Sequence, residues 1–210
     1  MCNLYRMTRS IDEVAHLFDA TAENGSNAGG EIYPGYPGLV VASSAGATMV
    51  RTMSWGFPLA RTGAKGQPIK PKPINNTRAD KLASGFWRES FLARRCLVPL
   101  EAFAEAEGTS GSKTRTWLSV PGQPVAVIAG VWRHSVEWGA CYSMIMTEAC
   151  IAMGDIHDRM PVILAPKDHG AWLSGTPEEA LALCRPFAGE LRIERTIEPW
   201  AGSGQMMLAL

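Results

Sequence analysis

The chain has 210 residues, of which 46% are hydrophobic and 19% charged, a composition typical of a globular protein with a substantial core. Its 20 basic residues balance its 20 acidic ones, so attraction to a polyanion has to come from a local cluster. No apolar run reaches membrane-spanning length and no secretion signal is visible, so we expect a cytoplasmic protein with no membrane contact.

The predicted elements begin with a short extended segment before the first helix. Ser10 and Thr176 are each followed three residues later by Glu, a capping box that predicts two helix starts. Another short helix is predicted over 86–94. The segment 61–73 contains three prolines and three lysines and predicts an exposed connection.

Strand-like segments outnumber the helices and do not alternate with them, which disfavours a parallel sheet. We predict a single α+β domain over residues 1–210, with a mostly antiparallel, barrel-like sheet and flanking short helices. The predicted strands are 39–42, 48–53, 96–100, 116–120, 125–132, 140–147, 160–164 and 191–197.

Position 2 carries the most informative chemistry. A small residue here permits removal of Met1, which would leave Cys2 as the first residue. Its α-amine then titrates near ~8 and its thiol near ~8.5. The amine can condense with an aldehyde to an imine, and the thiol can close on the imine carbon to give a thiazolidine. The alternative is a buried, inert cysteine.

The five cysteines are odd in number and widely spaced, without a CxxC pair. This pattern predicts neither a disulfide framework nor a zinc site and fits a reducing cytoplasm. We therefore expect no metal and no cofactor.

Residues 61–95 form a basic block, with nine Lys and Arg residues against only Asp80 and Glu89. In a chain of zero net charge such a block predicts a phosphate-binding face. The alternative is a solvated loop whose lysines keep it soluble.

Three segments offer polar side chains suited to chemistry. Asn76 and Arg78 lie two residues apart and, in extended chain, on one side. Glu105 has apolar neighbours that can raise its pKa, and His157 precedes an apolar strand and could shuttle protons. Their alternatives are a turn asparagine, an ion pair between Arg78 and Asp80, a solvated glutamate run and a surface histidine.

The order of these motifs resembles the SRAP family, the SOS response-associated peptidases or abasic-site processing proteins. The resemblance extends from residue 1 to about 165. The motifs that carry it are Met1-Cys2, Trp-Gly-x-Pro at 55–58, Asn-x-Arg-Ala-Asp at 76–80, Arg-Cys-Leu-Val-Pro at 95–99, Ala-Gly-Val-Trp at 129–132 and His-x-Arg-Met-Pro-Val at 157–162.

The resemblance implies a DNA-damage protein that binds abasic sites in single-stranded DNA, crosslinks to them as a thiazolidine and shields them. It implies that Cys2 is the nucleophile, that Asn76 positions the first residue and the sugar, and that Arg78 contacts phosphate. By the same resemblance Glu105 and His157 move protons. Trp55, Lys72 and Arg159 are further expected DNA contacts, and we expect a monomer that is nucleoid-associated when bound.

The chain departs from the family pattern at two motifs. Asn3 and Leu4 replace the usual Gly-Arg, which removes a phosphate contact that Arg6 could replace. Ala104 and Ala106 replace the aromatic residues on either side of the family glutamate. Glu101 and Glu107 remain rivals to Glu105 for the catalytic carboxylate.

Two other functions stay open. Cys2, His157 and Glu105 could serve as nucleophile, base and orienting carboxylate of a cysteine peptidase, a hydrolase that acts on other proteins or only on its own Met1. The basic block alone could form a non-covalent nucleic-acid module.

Overall fold

The computed structural model describes residues 2–23, 29–44 and 46–200. Its helices are α1 (Ile11–Leu17), α2 (Gly85–Ala93), α3 (His169–Ser174) and α4 (Pro177–Ala182). Its strands are β1 (Tyr5–Met7), β2 (Thr21–Ala22), β3 (Gly30–Ile32), β4 (Pro37–Ser44), β5 (Ala47–Trp55), β6 (Phe57–Thr62), β7 (Pro68–Ile74), β8 (Asn76–Arg78), β9 (Arg95–Leu100), β10 (Ala102–Glu107), β11 (Thr114–Ser119), β12 (Ala126–Ser135), β13 (Gly139–Glu148), β14 (Arg159–Pro161), β15 (Ile163–Leu164) and β16 (Arg192–Pro199).

A closed ring of five strands lies at the centre of the molecule. β4 pairs with β5 and β9, β9 with β12, and β12 with β13, all antiparallel. The ring closes where β13 pairs in parallel with β5, with Tyr142 opposite Trp55. Every residue of β9 is buried, which explains its continuous apolar sequence. The predicted mostly antiparallel, barrel-like α+β fold is confirmed.

A second sheet places the amino terminus beside this ring. Its strand order is β16, β11, β10, β1 and β3, and β1 pairs antiparallel with both β10 and β3. Tyr5 and Met7 on β1 are fully buried in the core that the two sheets share. Residues 2–4, which directly precede β1, therefore lie where the two sheets meet.

Both predicted capping boxes are confirmed. The Ser10 and Thr176 hydroxyls accept from the backbone N–H of Glu13 and Glu179, whose carboxylates accept from the backbone N–H of the two cap residues. Helix α2 also forms where the sequence predicts it. Each of the strand predictions corresponds to one observed strand, except 160–164, which Val162 divides into β14 and β15.

The prediction of a plain exposed connection over 61–73 is wrong. This segment belongs to the hairpin β6–β7, in which Phe57 lies opposite Ile74 and Pro58 opposite Pro73. Its lysines are exposed, as expected. Proline is tolerated here because β6 and β7 form a separate two-stranded sheet, where each strand has a free edge.

The glutamate run 101–107 also forms a strand, β10, rather than a solvated segment. Alternation along the strand turns Phe103 and Glu105 inward, and both are buried. Glu101 and Glu107 remain partly exposed.

Among the described residues, no helix has both the length and the apolar character needed to cross a membrane.

Candidate active site

Cys2 is held through its main-chain carbonyl by two neighbouring asparagines. The side-chain amide of Asn76 donates to this oxygen at 2.6 Å, and that of Asn75 donates to it at 3.1 Å. Asn75 also donates to the Asn3 side chain at 3.0 Å. The two asparagines sit where β7 passes into β8, so the chain after the hairpin fixes the position of residue 2.

Cys2 itself is fully buried, as the inert-cysteine alternative expected, and its thiol donates weakly to the Leu4 carbonyl at 3.5 Å. Burial, and after it the charge of Glu105, raises the pKa of the Cys2 thiol well above its usual range. The thiol is therefore protonated at neutral pH. Met1 lies outside the described residues, and its removal stays a prediction.

Glu105 brings a buried carboxyl to this amino terminus. Its strand β10 runs antiparallel to the first residues, and the Ala104 N–H donates to the Leu4 carbonyl at 2.9 Å. Glu105 is only 2% exposed, and desolvation raises its pKa to about 7. Such a carboxyl can both give and take a proton near neutral pH. Its two rivals, Glu101 and Glu107, are engaged with Thr8 and with Thr116 and Arg195.

Strand β13 brings the remaining polar residues to the same region. Along one edge its residues 144–146 pair with β8, and along the other its residues 146–148 pair with β14. Asn76 and Arg78 therefore lie on β8, on the opposite side of β13 from Arg159 on β14, and the two outer strands are about 10 Å apart at two strand spacings. The charge of Asp158, in the loop before β14, is one of the smaller contributions to the raised pKa of Glu105.

His157 lines an open cavity of about 550 Å³ together with Asp158, Arg159 and Cys150. Its Nδ1 lies 2.9 Å from the backbone nitrogen of Arg159 and 2.9 Å from the Asp158 carboxylate. A neutral ring accepts from the N–H, and a protonated ring donates to the carboxylate. Desolvation lowers the pKa of His157, so the neutral ring predominates at pH 7.

The candidate cations occupy different settings. Arg78 is half-exposed and forms a two-pronged ion pair with Asp80 at 2.7 Å, as one alternative expected. Lys72 is exposed on β7, and Arg159 is partly buried beside His157. The residues of the basic block do not all lie on one exposed face. Arg95 is buried and donates to the backbone carbonyls of Phe91, Trp172 and Gly175.

Trp55 does not offer its ring to DNA. It is fully buried, packed between Tyr5 and Tyr142 with ring centroids 5.0 and 6.5 Å away. Its indole N–H donates to the Asn75 carbonyl at 2.9 Å. The Trp55 ring is therefore not accessible from the surface of this structure, and its contact with DNA stays a prediction.

Two of the four departures from the family pattern, Leu4 and Ala104, belong to one small cluster. Leu4 and Ala104 are buried against Trp117, which lies opposite Ala104 on the neighbouring strand β11. The Arg6 guanidinium covers the Trp117 ring at 4.1 Å. The side of β10 that faces away from Glu105 is thus filled by the protein itself.

Sequence reasoning missed Asn75 and the hydroxyl pair of Tyr5 and Tyr142. The tandem Asn-Asn was a visible signal for Asn75. The tyrosine hydroxyls meet at 2.5 Å behind Cys2, and no local pattern indicates that contact, because the residues lie 137 positions apart.

The chain is similar to proteins that are named for abasic site processing. The chain is 26% identical to the abasic site processing protein YoaM of Bacillus subtilis (strain 168) over 202 residues, which cover 89% of this chain and 86% of that protein. The abasic site processing protein YobE of the same organism is 26% identical over 186 residues, covering 83% and 82%.

Two solved structures share the fold. A crystal structure of a protein from Bacteroides thetaiotaomicron superposes with a TM-score of 0.76 at 19% identity, covering 92% of this chain and 91% of that one. One from Bordetella bronchiseptica gives 0.74 at 21% identity, covering 93% and 99%. Residues 1–198 match the family described as SOS response associated peptidase (SRAP). The chain therefore belongs to the SRAP family.

Proposed function

We propose that this protein processes abasic sites in single-stranded DNA by forming a covalent thiazolidine between Cys2 and the open-chain sugar aldehyde. The proposal rests on the hydrogen bonds that the Asn75 and Asn76 side-chain amides donate to the Cys2 carbonyl, and on the buried Glu105 carboxyl beside it. The relatives that bear the name abasic site processing protein support the substrate class.

The chemistry begins with removal of Met1, which creates an α-amine on Cys2. That amine adds to the aldehyde carbon, and the carbinolamine loses water to give an imine. The thiol then adds to the imine carbon and its proton passes to the nitrogen, so one water leaves for each crosslink. The raised pKa of the thiol favours this order, because the amine does not need a thiolate for the first step.

The surrounding residues suit the proton transfers. Glu105, with a pKa of about 7, can protonate the leaving hydroxyl and later relay the thiol proton to the imine nitrogen. Neutral His157 can take a proton from the sugar hydroxyl as the ring opens. Asn76 has a buried Oδ1 with no hydrogen-bond partner in the described structure, an acceptor suited to the new amine or a sugar hydroxyl. Arg78 and Arg159 would bind phosphates on either side of β13.

The test is a denaturing gel of purified protein incubated with a single-stranded oligonucleotide that carries one abasic site. The wild type should give a heat-stable shifted band, and an intact oligonucleotide should give none. Cys2→Ala keeps the α-amine, so it should give no stable band until borohydride traps the imine. A fusion that blocks residue 2 should be inactive until a protease releases Cys2 as the first residue. A stable band from the blocked fusion or from untreated Cys2→Ala would refute the mechanism.

The peptidase alternative requires a thiolate next to a base. Burial and the nearby Glu105 charge raise the pKa of the Cys2 thiol rather than lower it, which disfavours the thiolate. We therefore favour the crosslinking reaction. Cleavage of added peptides that is lost in Cys2→Ala would reverse this preference.

A further inference from the structure

A second cavity lies beside the segment of chain that leads into Asn75. It measures about 490 Å³ and lies between the β6–β7 hairpin and the turn that joins β12 to β13. Its lining combines three cations with one large aromatic ring and rigid prolines; these residues are Arg61, Lys70, Lys72, Trp138, Pro71 and Pro73. None of the three cations forms an ion pair with a described residue.

The aromatic ring is carried by a fixed turn. The Ser135 hydroxyl accepts from the Trp138 backbone N–H at 2.9 Å, and Gly139 takes a positive φ of 65° that glycine adopts without strain. Ser135 and Gly139 pair across the hairpin. Trp138 is half-buried, so one part of the ring stays accessible while the backbone beneath it is held in place.

The end of strand β7 links the cavity to the candidate active site. Lys72 lies three residues before Asn75, one of the two asparagines that donate to the Cys2 carbonyl. Three residues span about 10 Å in an extended strand. Pro73, which lines the cavity, lies two residues before Asn75, so the cavity and the asparagines that hold Cys2 are neighbours along the chain.

We propose that this cavity binds the nucleotides that flank the abasic site, with a base stacked on Trp138 and phosphates bound by Arg61, Lys70 and Lys72. The inference rests on the proposed function for its occupant, single-stranded DNA. A basic groove with an aromatic platform is the arrangement by which proteins hold single strands without reading their sequence. It also supplies stacking at a place other than the motif around Glu105, where Ala104 and Ala106 offer none.

The experiment measures binding of an intact single-stranded oligonucleotide of about ten nucleotides by fluorescence anisotropy, so that no crosslinking is needed. Trp138→Ala should weaken binding about tenfold, and Trp138→Phe should restore most of it. Val136→Ala, on the same turn but outside the cavity, should have no effect. The double variant Lys70→Gln/Lys72→Gln should reduce the slope of log affinity against log salt by about 1.4, whereas Lys167→Gln should leave it unchanged.

Melting temperatures close to that of the wild type establish that each variant is folded. Equal affinities for Trp138→Ala and Val136→Ala, or no rescue by Trp138→Phe, would overturn the stacking role. An unchanged salt slope in the double lysine variant would overturn the phosphate role. If the variants show these effects but the wild type forms no Cys2-dependent crosslink, the proposed reaction is refuted and the proposed binding cavity stands.

Discussion

Replacing Glu105 with Gln should increase stability at alkaline pH while it slows crosslinking. Burial raises the pKa of this carboxyl from its ordinary 4.5 to about 7. Below pH 4.5 the group is protonated in the folded and the unfolded chain, and it costs no folding free energy. Between pH 4.5 and about 7 the unfolded chain loses the proton first, so the free energy of unfolding falls as pH rises.

The size of the effect follows from the pKa difference. At 1.36 kcal/mol per pKa unit, the wild type should lose ~3 kcal/mol across this window. Glu105→Gln keeps the shape of the side chain without the ionisation, so its stability relative to the wild type should rise by ~3 kcal/mol from pH 4.5 to pH 8. Contributions of the other titrating groups cancel in this comparison.

Urea denaturation of both proteins at the two pH values measures this change. Glu137→Gln, on an exposed turn, removes the same charge from solvent and should change stability little at either pH. The crosslinking rate of Glu105→Gln should fall by roughly 10²-fold or more, and its dependence on pH near 7 should disappear. A stability difference that is equal at pH 4.5 and pH 8 would refute the buried, proton-binding carboxyl.

Three further changes test the fold around the site. Arg95→Met leaves buried backbone carbonyls unsatisfied at α3 and the end of α2 and should cost ~3 kcal/mol in urea denaturation. Gly38→Ala places a Cβ against the hydroxyls of Tyr5 and Tyr142; it should cost ~2 kcal/mol and slow crosslinking, and unchanged values for both would contradict that packing. Ser10→Ala removes the α1 cap and should lower stability by ~1 kcal/mol without a change in crosslinking rate.

The features that sequence reasoning predicted are those that local chemistry decides. A capping box needs only residues three positions apart, so Ser10 and Thr176 identified their helices correctly. The strands of the ring are buried and apolar, so 96–100 and 140–147 were visible as continuous runs. The hairpin at 57–74 was not, because proline and lysine are poor strand formers and pairing within an isolated two-stranded sheet overrides that preference.

The site was harder to predict because its properties are long-range. Glu101, Glu105 and Glu107 are similar in sequence, and only the pairing of β10 with β1 and β11 buries the middle one. Trp138 gave no signal, because its importance comes from the hairpin across the cavity. Trp55 belonged to a recognised motif, but the motif does not reveal that its ring is fully buried.

The buried Trp55 is connected to Cys2 by hydrogen bonds through Asn75. The Trp55 indole donates to the Asn75 carbonyl, and the Asn75 side chain donates to the Cys2 carbonyl. The Gly56 backbone N–H donates to the Tyr142 carbonyl. A side chain at position 56 would clash with Pro73, at the end of the hairpin that leads into Asn75. A flexible first residue loses considerable conformational entropy when it is ordered. These hydrogen bonds offset that loss when the chain folds. The motif is therefore joined to the Cys2 backbone through Asn75.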